Sequence, residues 1–112
     1  MSSTVKPGKK FSLQQEGPFL LKEVFNQEES NLEYLSLSHI EMRRGRSPYL
    51  AFPEEETLLF LLEGKAVIQV ENQQYPMEKY DVLYIPVGSP FRMQTEGPLS
   101  AFAYRALGTE KF

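Results

Sequence analysis

No stretch of this chain keeps a helical repeat for more than a turn or two; short apolar runs follow one another instead, each cut off by Gly, Pro or a polar cluster. Phe19 to Phe25 (FLLKEVF) gives way to the polar turn Asn26 to Asn31. Leu32 to Met42 (LEYLSLSHIEM) ends at RRGRSP, with Gly45 and Pro48 as breakers, and Thr57 to Leu62 (TLLFLL) stops at Glu63-Gly64. Ala66 to Val70 (AVIQV) runs into Glu71 to Gln74, read as a hairpin turn. Tyr80 to Ile85 (YDVLYI) ends at Pro86-Val87-Gly88, and Leu99 to Leu107 closes the series. Evenly spaced strands between turn signals mark an all-β sandwich or barrel. Ser36 and Ser38 are poor helix formers, which favours a period of 2 over 3.6 across 32–42. The one helical rival, Pro53 to Leu62, is cut short by Gly64 and followed by a strand. Parallel strands need long crossover segments, for which the chain has no room, so the sheets are expected to be antiparallel.

The length of 112 residues suits one domain, with residues 1–10 (MSSTVKPGKK) as a loose polar tail and 11–112 as a single barrel. A net charge of −3 argues against a general nucleic-acid binder, which needs clustered cations for phosphates. Arg43, Arg44 and Arg46 form a short basic cluster that reads as a solvated loop rather than a phosphate site. With no cysteine there is no disulfide, thiolate metal site or cysteine nucleophile. Residues 1–10 lack the apolar segment of a secretory signal, and no apolar run approaches the roughly 18–20 residues that span a bilayer. The expectation is a soluble cytoplasmic protein with no membrane partner. Serine-hydrolase elbows, phosphate-cradling glycine loops and dinucleotide fingerprints are missing.

The punctuation in LLFLLEGKAVIQVENQQYPMEKYDVLYIPVGSPFRM resembles the double motif of the cupin superfamily, over Gly45 to about Thr95. The first cupin motif carries a glycine, a His-x-His pair, a glutamate and a closing glycine. Here Gly64 matches the closing glycine. The second carries a glycine, five residues, Pro-x-Gly, two residues and a histidine. Here Pro86 and Gly88 match, Tyr80 replaces the first glycine and Phe91 stands at the histidine. The resemblance implies an antiparallel jelly-roll barrel, a double-stranded β-helix of the RmlC-like kind. It also implies a metal held by three histidines and a glutamate, but this sequence departs from every ligand. Thr57 stands at the glutamate, and Ala51 and Pro53, or Leu50 and Phe52, stand at the paired histidines. Glu56 is one residue off and so points to the other face. The expectation is therefore a cupin with no metal and no other cofactor.

Alternation places the face-mates of Thr57 and Phe91, namely Leu59, Leu61, Met93 and Thr95, inside the barrel. Thr57, Leu59, Phe91 and Met93, with Tyr34 and Tyr49, are the candidate lining for a small organic ligand, although the same residues suit a filled core. Leu58, Phe60 and Leu62 make the opposite face of that strand apolar too, so something covers it: the segment Phe19 to Phe25 or a second subunit. Cupins of this kind commonly pack barrel faces together, and a homodimer is expected. The remaining polar candidates are Tyr84, Arg92, Arg105 and the pair His39 and Glu41. His39 beside Glu41 has the chemistry of a tuned general base, which a catalytic role requires to face the interior. If Ile40 and Met42 face in, that role is lost. Arg92 follows Phe91 and points away from it, a surface or interface charge rather than an anion clamp. The leading functional expectation is a metal-free cupin that binds a small organic molecule or acts as a dimeric sensing or interaction module. A metal-independent isomerase or epimerase acting on a sugar or sugar acid, and a purely structural dimerisation barrel, are the alternatives.

Overall fold

Gly64 fixes the corner at which the chain leaves one sheet for the other. Its φ of +85° lies in the left-handed region, and a Cβ there would sit 2.3 Å from the Pro98 carbonyl oxygen, so both backbone conformation and space demand glycine. The structure, a computed structural model, describes residues 12–25 and 35–107, with the side chain of Phe25 left aside. Ten strands follow in order: β1 (Ser12–Glu16), β2 (Phe19–Phe25), β3 (Leu35–Met42), β4 (Gly45–Arg46), β5 (Glu55–Glu63), β6 (Ala66–Val70), β7 (Gln73–Met77), β8 (Val82–Ile85), β9 (Phe91–Thr95) and β10 (Leu99–Leu107). They form a six-stranded sheet, β1-β2-β3-β10-β5-β8, and a four-stranded sheet, β4-β9-β6-β7. Every pairing is antiparallel. Among the described residues no helix is long and apolar enough to cross a membrane.

The all-β antiparallel expectation holds, with differences at the edges. β1 was not expected from its residues, because SLQQE is exposed on both faces and carries no alternation. The β6–β7 turn is tighter than expected: Gln73 pairs with Val70 and Gln74 with Gln69, leaving Glu71 and Asn72 at the tip. Glu71 takes the left-handed conformation there, with φ +53°. Tyr80, where the second cupin motif has glycine, does the same at φ +74°. The tail at 1–10 and the turn at Asn26 to Asn31 lie outside the described residues.

Inward positions of the larger sheet form rungs across its strands. Phe19, Met42 and Leu99 make one, and Leu21, Ile40, Ala101 and Leu61 the next. With Leu59, Ile68, Ile85, Phe91 and Met93 they form a core whose members are almost wholly buried. Each large side chain so buried stabilises the fold by about 1.5–3 kcal/mol. The following rungs change character. Glu23 and Ser38 lie level with Ala103 and Leu59, then Ser36, Arg105 and Thr57 lie level, and Glu55 is opposite Leu107. The barrel is therefore apolar at the end near Gly64 and polar at the other.

The connection between β4 and β5 is sewn to the smaller sheet by buried Ser47. Its N–H donates to the Met93 carbonyl (2.8 Å), and its Oγ accepts from the Met93 N–H (2.9 Å) and donates to the Pro48 carbonyl (2.8 Å). Phe19 to Phe25 lies within the larger sheet as β2, three strands from β5. It does not cover Leu58, Phe60 and Leu62, which corrects that alternative.

Candidate functional site

Arg105 enters the polar end of the barrel from β10, on the inward parity of Ala101 and Ala103, and is only 7% exposed. Its Nη1 donates to Glu55 Oε1 (3.0 Å), and its Nη2 donates to Glu23 Oε1 (2.5 Å) and Ser38 Oγ (2.8 Å). Ser38 Oγ in turn donates to the second oxygen of Glu23 (3.3 Å). The guanidinium carbon lies 4.5 Å from the centroid of the Phe52 ring, which itself packs against Phe91 at 6.2 Å. One cation thus ties two carboxylates, from β2 and β5, and a hydroxyl from β3 into a single network. The Arg105 Nε–H is buried with no acceptor. Orphaned buried donors are rare in folded proteins and mark places where a water, an ion or a ligand belongs.

No family model and no curated protein sequence matches the chain. Solved structures do. A predicted oxalate decarboxylase from Thermotoga maritima superposes with a TM-score of 0.76 at 13% identity, covering 94% of this chain and all of that one. An RmlC-like cupin from Shewanella frigidimarina gives 0.73 at 13% identity, covering 97% and 95%. The Cnp3 cupin domain of Schizosaccharomyces pombe gives 0.72 at 18% identity, covering 89% and 71%.

The chain has the cupin fold.

Within the cupin barrel, the positions at which the motif carries metal ligands hold side chains that do not fit a metal. Thr57 and Phe91 point inward and are buried, and of the two alternatives for the paired histidines it is Leu50 and Phe52 that pack on the core, while Ala51 and Pro53 are exposed. Among the described residues no three His, Asp or Glu side chains converge on a point where an ion could sit. Glu23 and Glu55 do approach the interior, but the Arg105 guanidinium stands between them. A divalent cation would have to displace it against like-charge repulsion. In this barrel the fixed cation of the mouth is a side chain.

Of the other candidates, Leu59 and Met93 belong to the close-packed core with Phe91. Tyr49 is exposed and lies against the Arg92 guanidinium, 4.3 Å from its ring centroid, outside the barrel. Tyr34 lies outside the described residues. Tyr84 is exposed on the outer side of edge strand β8, where a hydrogen bond with Glu56 raises the pKa of its phenol.

His39 and Glu41 share a face of β3 as expected, but it is the outer one: Ile40, 0% exposed, and Met42 face in. The pair therefore cannot serve as general base to a molecule inside the barrel. It forms a half-buried cluster on the outer surface instead. Lys22 Nζ meets Glu41 Oε1 at 2.8 Å, His39 Nδ1 lies 3.6 Å from the same oxygen, and His39 Nε2 shares a hydrogen bond with Ser100 Oγ at 2.8 Å. The imidazole packs on Phe102, 5.2 Å between centroids. Burial pushes the His39 pKa down; Glu41 opposes the shift and Lys22 adds to it. The hydrogen bond from Lys22 holds the Glu41 carboxyl below its ordinary range.

Residue-level reading missed Glu23, Glu55, Ser36 and Ser38 as members of a site. One signal was available: Glu55 is two residues from Thr57, the spacing that keeps a strand residue on the same face.

Proposed function

We propose that this cupin binds a small neutral organic molecule, rich in hydroxyl groups, at the mouth around Arg105, without a metal ion. The observation that carries this reading is the buried Arg105 Nε–H with no acceptor, at the polar end of an otherwise apolar barrel. The network holds one cation and two carboxylates, so an added carboxylate would have to compete with Glu23 or Glu55 for Arg105. A hydroxyl group can accept from the Arg105 Nε–H and donate in turn to a glutamate oxygen. Phe52, half-buried beside the guanidinium, supplies an apolar wall of the kind such pockets use for contact.

Saturation-transfer NMR against a neutral polyol and a monocarboxylate tests the assignment. Binding of the polyol, weakened about fivefold in Phe52→Leu and in Ser38→Ala, which loosens the hold on Arg105, is the expected result; one hydrogen bond, about 1 kcal/mol, is a change of that size. Binding of the carboxylate alone, or binding indifferent to both substitutions, removes the mouth as the site.

A second copy of the chain is the reading that best suits the outer face of the larger sheet. Leu58 (46% exposed), Val82, Tyr84 (53%) and Tyr104 all present apolar surface there, beside half-buried Phe60 and Phe102. Contiguous exposed apolar faces on a sheet mark interaction surfaces, and a homodimer through this face leaves the mouth open.

A further inference from the structure

The outer face of the smaller sheet has the opposite chemistry. Side chains there form a grid set by the strand register: Arg46, Gln94, Val67 and Pro76 lie along one rung, and Arg92, Gln69 and Gln74 along the next. Arg46, Val67, Gln69, Gln74, Arg92 and Gln94 line a recess of about 90 Å³. That space exceeds what one water needs and suits a head group rather than a whole metabolite.

Arg92 is held in place before anything binds. Its Nε and Nη2 both donate to the Ser47 carbonyl (3.3 and 3.2 Å), and its guanidinium stacks on Tyr49. Ser47 is itself locked to Met93 and Pro48. Arg46 is a diagonal neighbour of Arg92 across β4 and β9, which places such side chains about 7–8 Å apart. Among the described residues neither arginine meets a carboxylate, although Arg44 pairs with Glu96 and Arg105 with two glutamates. Two adjacent uncompensated cations are unusual in a chain of net charge −3, and like charges this close repel one another. Gln74 and Gln94 add amide donors on the same face.

We propose that this recess binds a doubly charged oxyanion of the phosphate class, either free or as the terminal group of a phosphomonoester. Arg92 is the pre-positioned anchor, Arg46 the second cation, and Gln74 and Gln94 the flanking donors. With its Nε given to Ser47, Arg92 keeps Nη1 and the second Nη2 hydrogen for the anion, and Arg46 adds a second guanidinium. The basic cluster thus divides in the fold: Arg44 turns to Glu96, while Arg46 joins Arg92, which is more than a bystander charge.

Titration of the full chain with inorganic phosphate at low ionic strength, followed by ¹H–¹⁵N NMR, tests this. The expected result is saturable shifts of the Gln69, Arg92 and Gln94 amides and of the Gln74 and Gln94 side chains. Arg92→Gln and Arg46→Gln should each weaken binding about fivefold. Arg43→Gln removes the same charge from an exposed side chain outside the recess and should change binding less than about twofold. Arg46 holds no other group in place, so its variant remains informative if Arg92→Gln loosens the Ser47 connection. Equal loss in Arg43→Gln and Arg46→Gln, shifts centred elsewhere, or acetate binding as tightly as phosphate would each overturn the proposal. Phenyl phosphate binding as tightly as the free ion identifies a phosphomonoester as the source, and its exclusion identifies the free ion.

Discussion

The proton on His39 is governed by three neighbours that do not agree. Burial against Phe102 disfavours the imidazolium, Glu41 favours it, and Lys22 disfavours it again; burial prevails and the folded-state pKa falls below the usual value near 6.5. Between that lowered value and about 6.5, the unfolded chain binds more protons than the folded one. The contribution of neutral His39 to stability is therefore complete above about pH 6.5 and is lost as pH falls through the folded value. An NMR titration of the imidazole should give a midpoint under 6.5, and Glu41→Gln should move it further down by removing the group that favours the charge. A midpoint above 6.5 would contradict the burial argument. Single residues such as His39 were legible in type but not in direction, since neither His39 nor Glu41 declares which side of β3 is inside.

β3 shows why. A strand on the wall of a water-soluble barrel ordinarily hides its apolar residues and exposes its polar ones. Here Ser36 and Ser38 face in and Leu35 and Leu37 face out, while Ile40 and Met42 face in and His39 and Glu41 out. The pattern inverts halfway along because toward the mouth the interior turns polar while the outer face turns apolar. No single alternation describes such a strand, so its register was open until the neighbouring strands fixed it. β1 escaped notice for a simpler reason, having no buried face at all.

The network at the mouth joins elements rather than residues: Arg105 on β10 holds Glu23 of β2, Ser38 of β3 and Glu55 of β5. Arg105→Met leaves two carboxylates without their cation and should destabilise the fold by about 3–5 kcal/mol in urea unfolding. Replacing Glu23 and Glu55 by leucine in the same chain should recover most of that loss, because a buried ion network often contributes little beyond an apolar substitute. A single variant as stable as the parent would mean the cluster is solvated and loose.

For the molecule as a whole, the fold was legible because its corners are punctuated by residues with few substitutes: Gly64 with its closed space, Pro86 and Gly88 at the turn into β9. The site was not, because none of the residues that would announce a metal centre is present and the side chains of the mouth come from four separate strands. Leu58→Glu places a charge at the centre of the exposed apolar face, and burying an unpaired charge costs several kcal/mol. Sedimentation should show a dimer for the parent and a monomer for the variant, with unchanged circular dichroism. A monomeric parent at high concentration would remove the second copy from consideration.

The change of character along the inward rungs separates an apolar tier from a polar end built around Arg105. Substitutions at Ser36, Phe52 and Thr57 leave the Leu21, Ile40, Ala101 and Leu61 tier below them in place. A barrel with this layout can change the polar side chains of one end while the apolar tier at the other keeps its packing. The same layout makes the mouth a natural place to graft new recognition onto the scaffold.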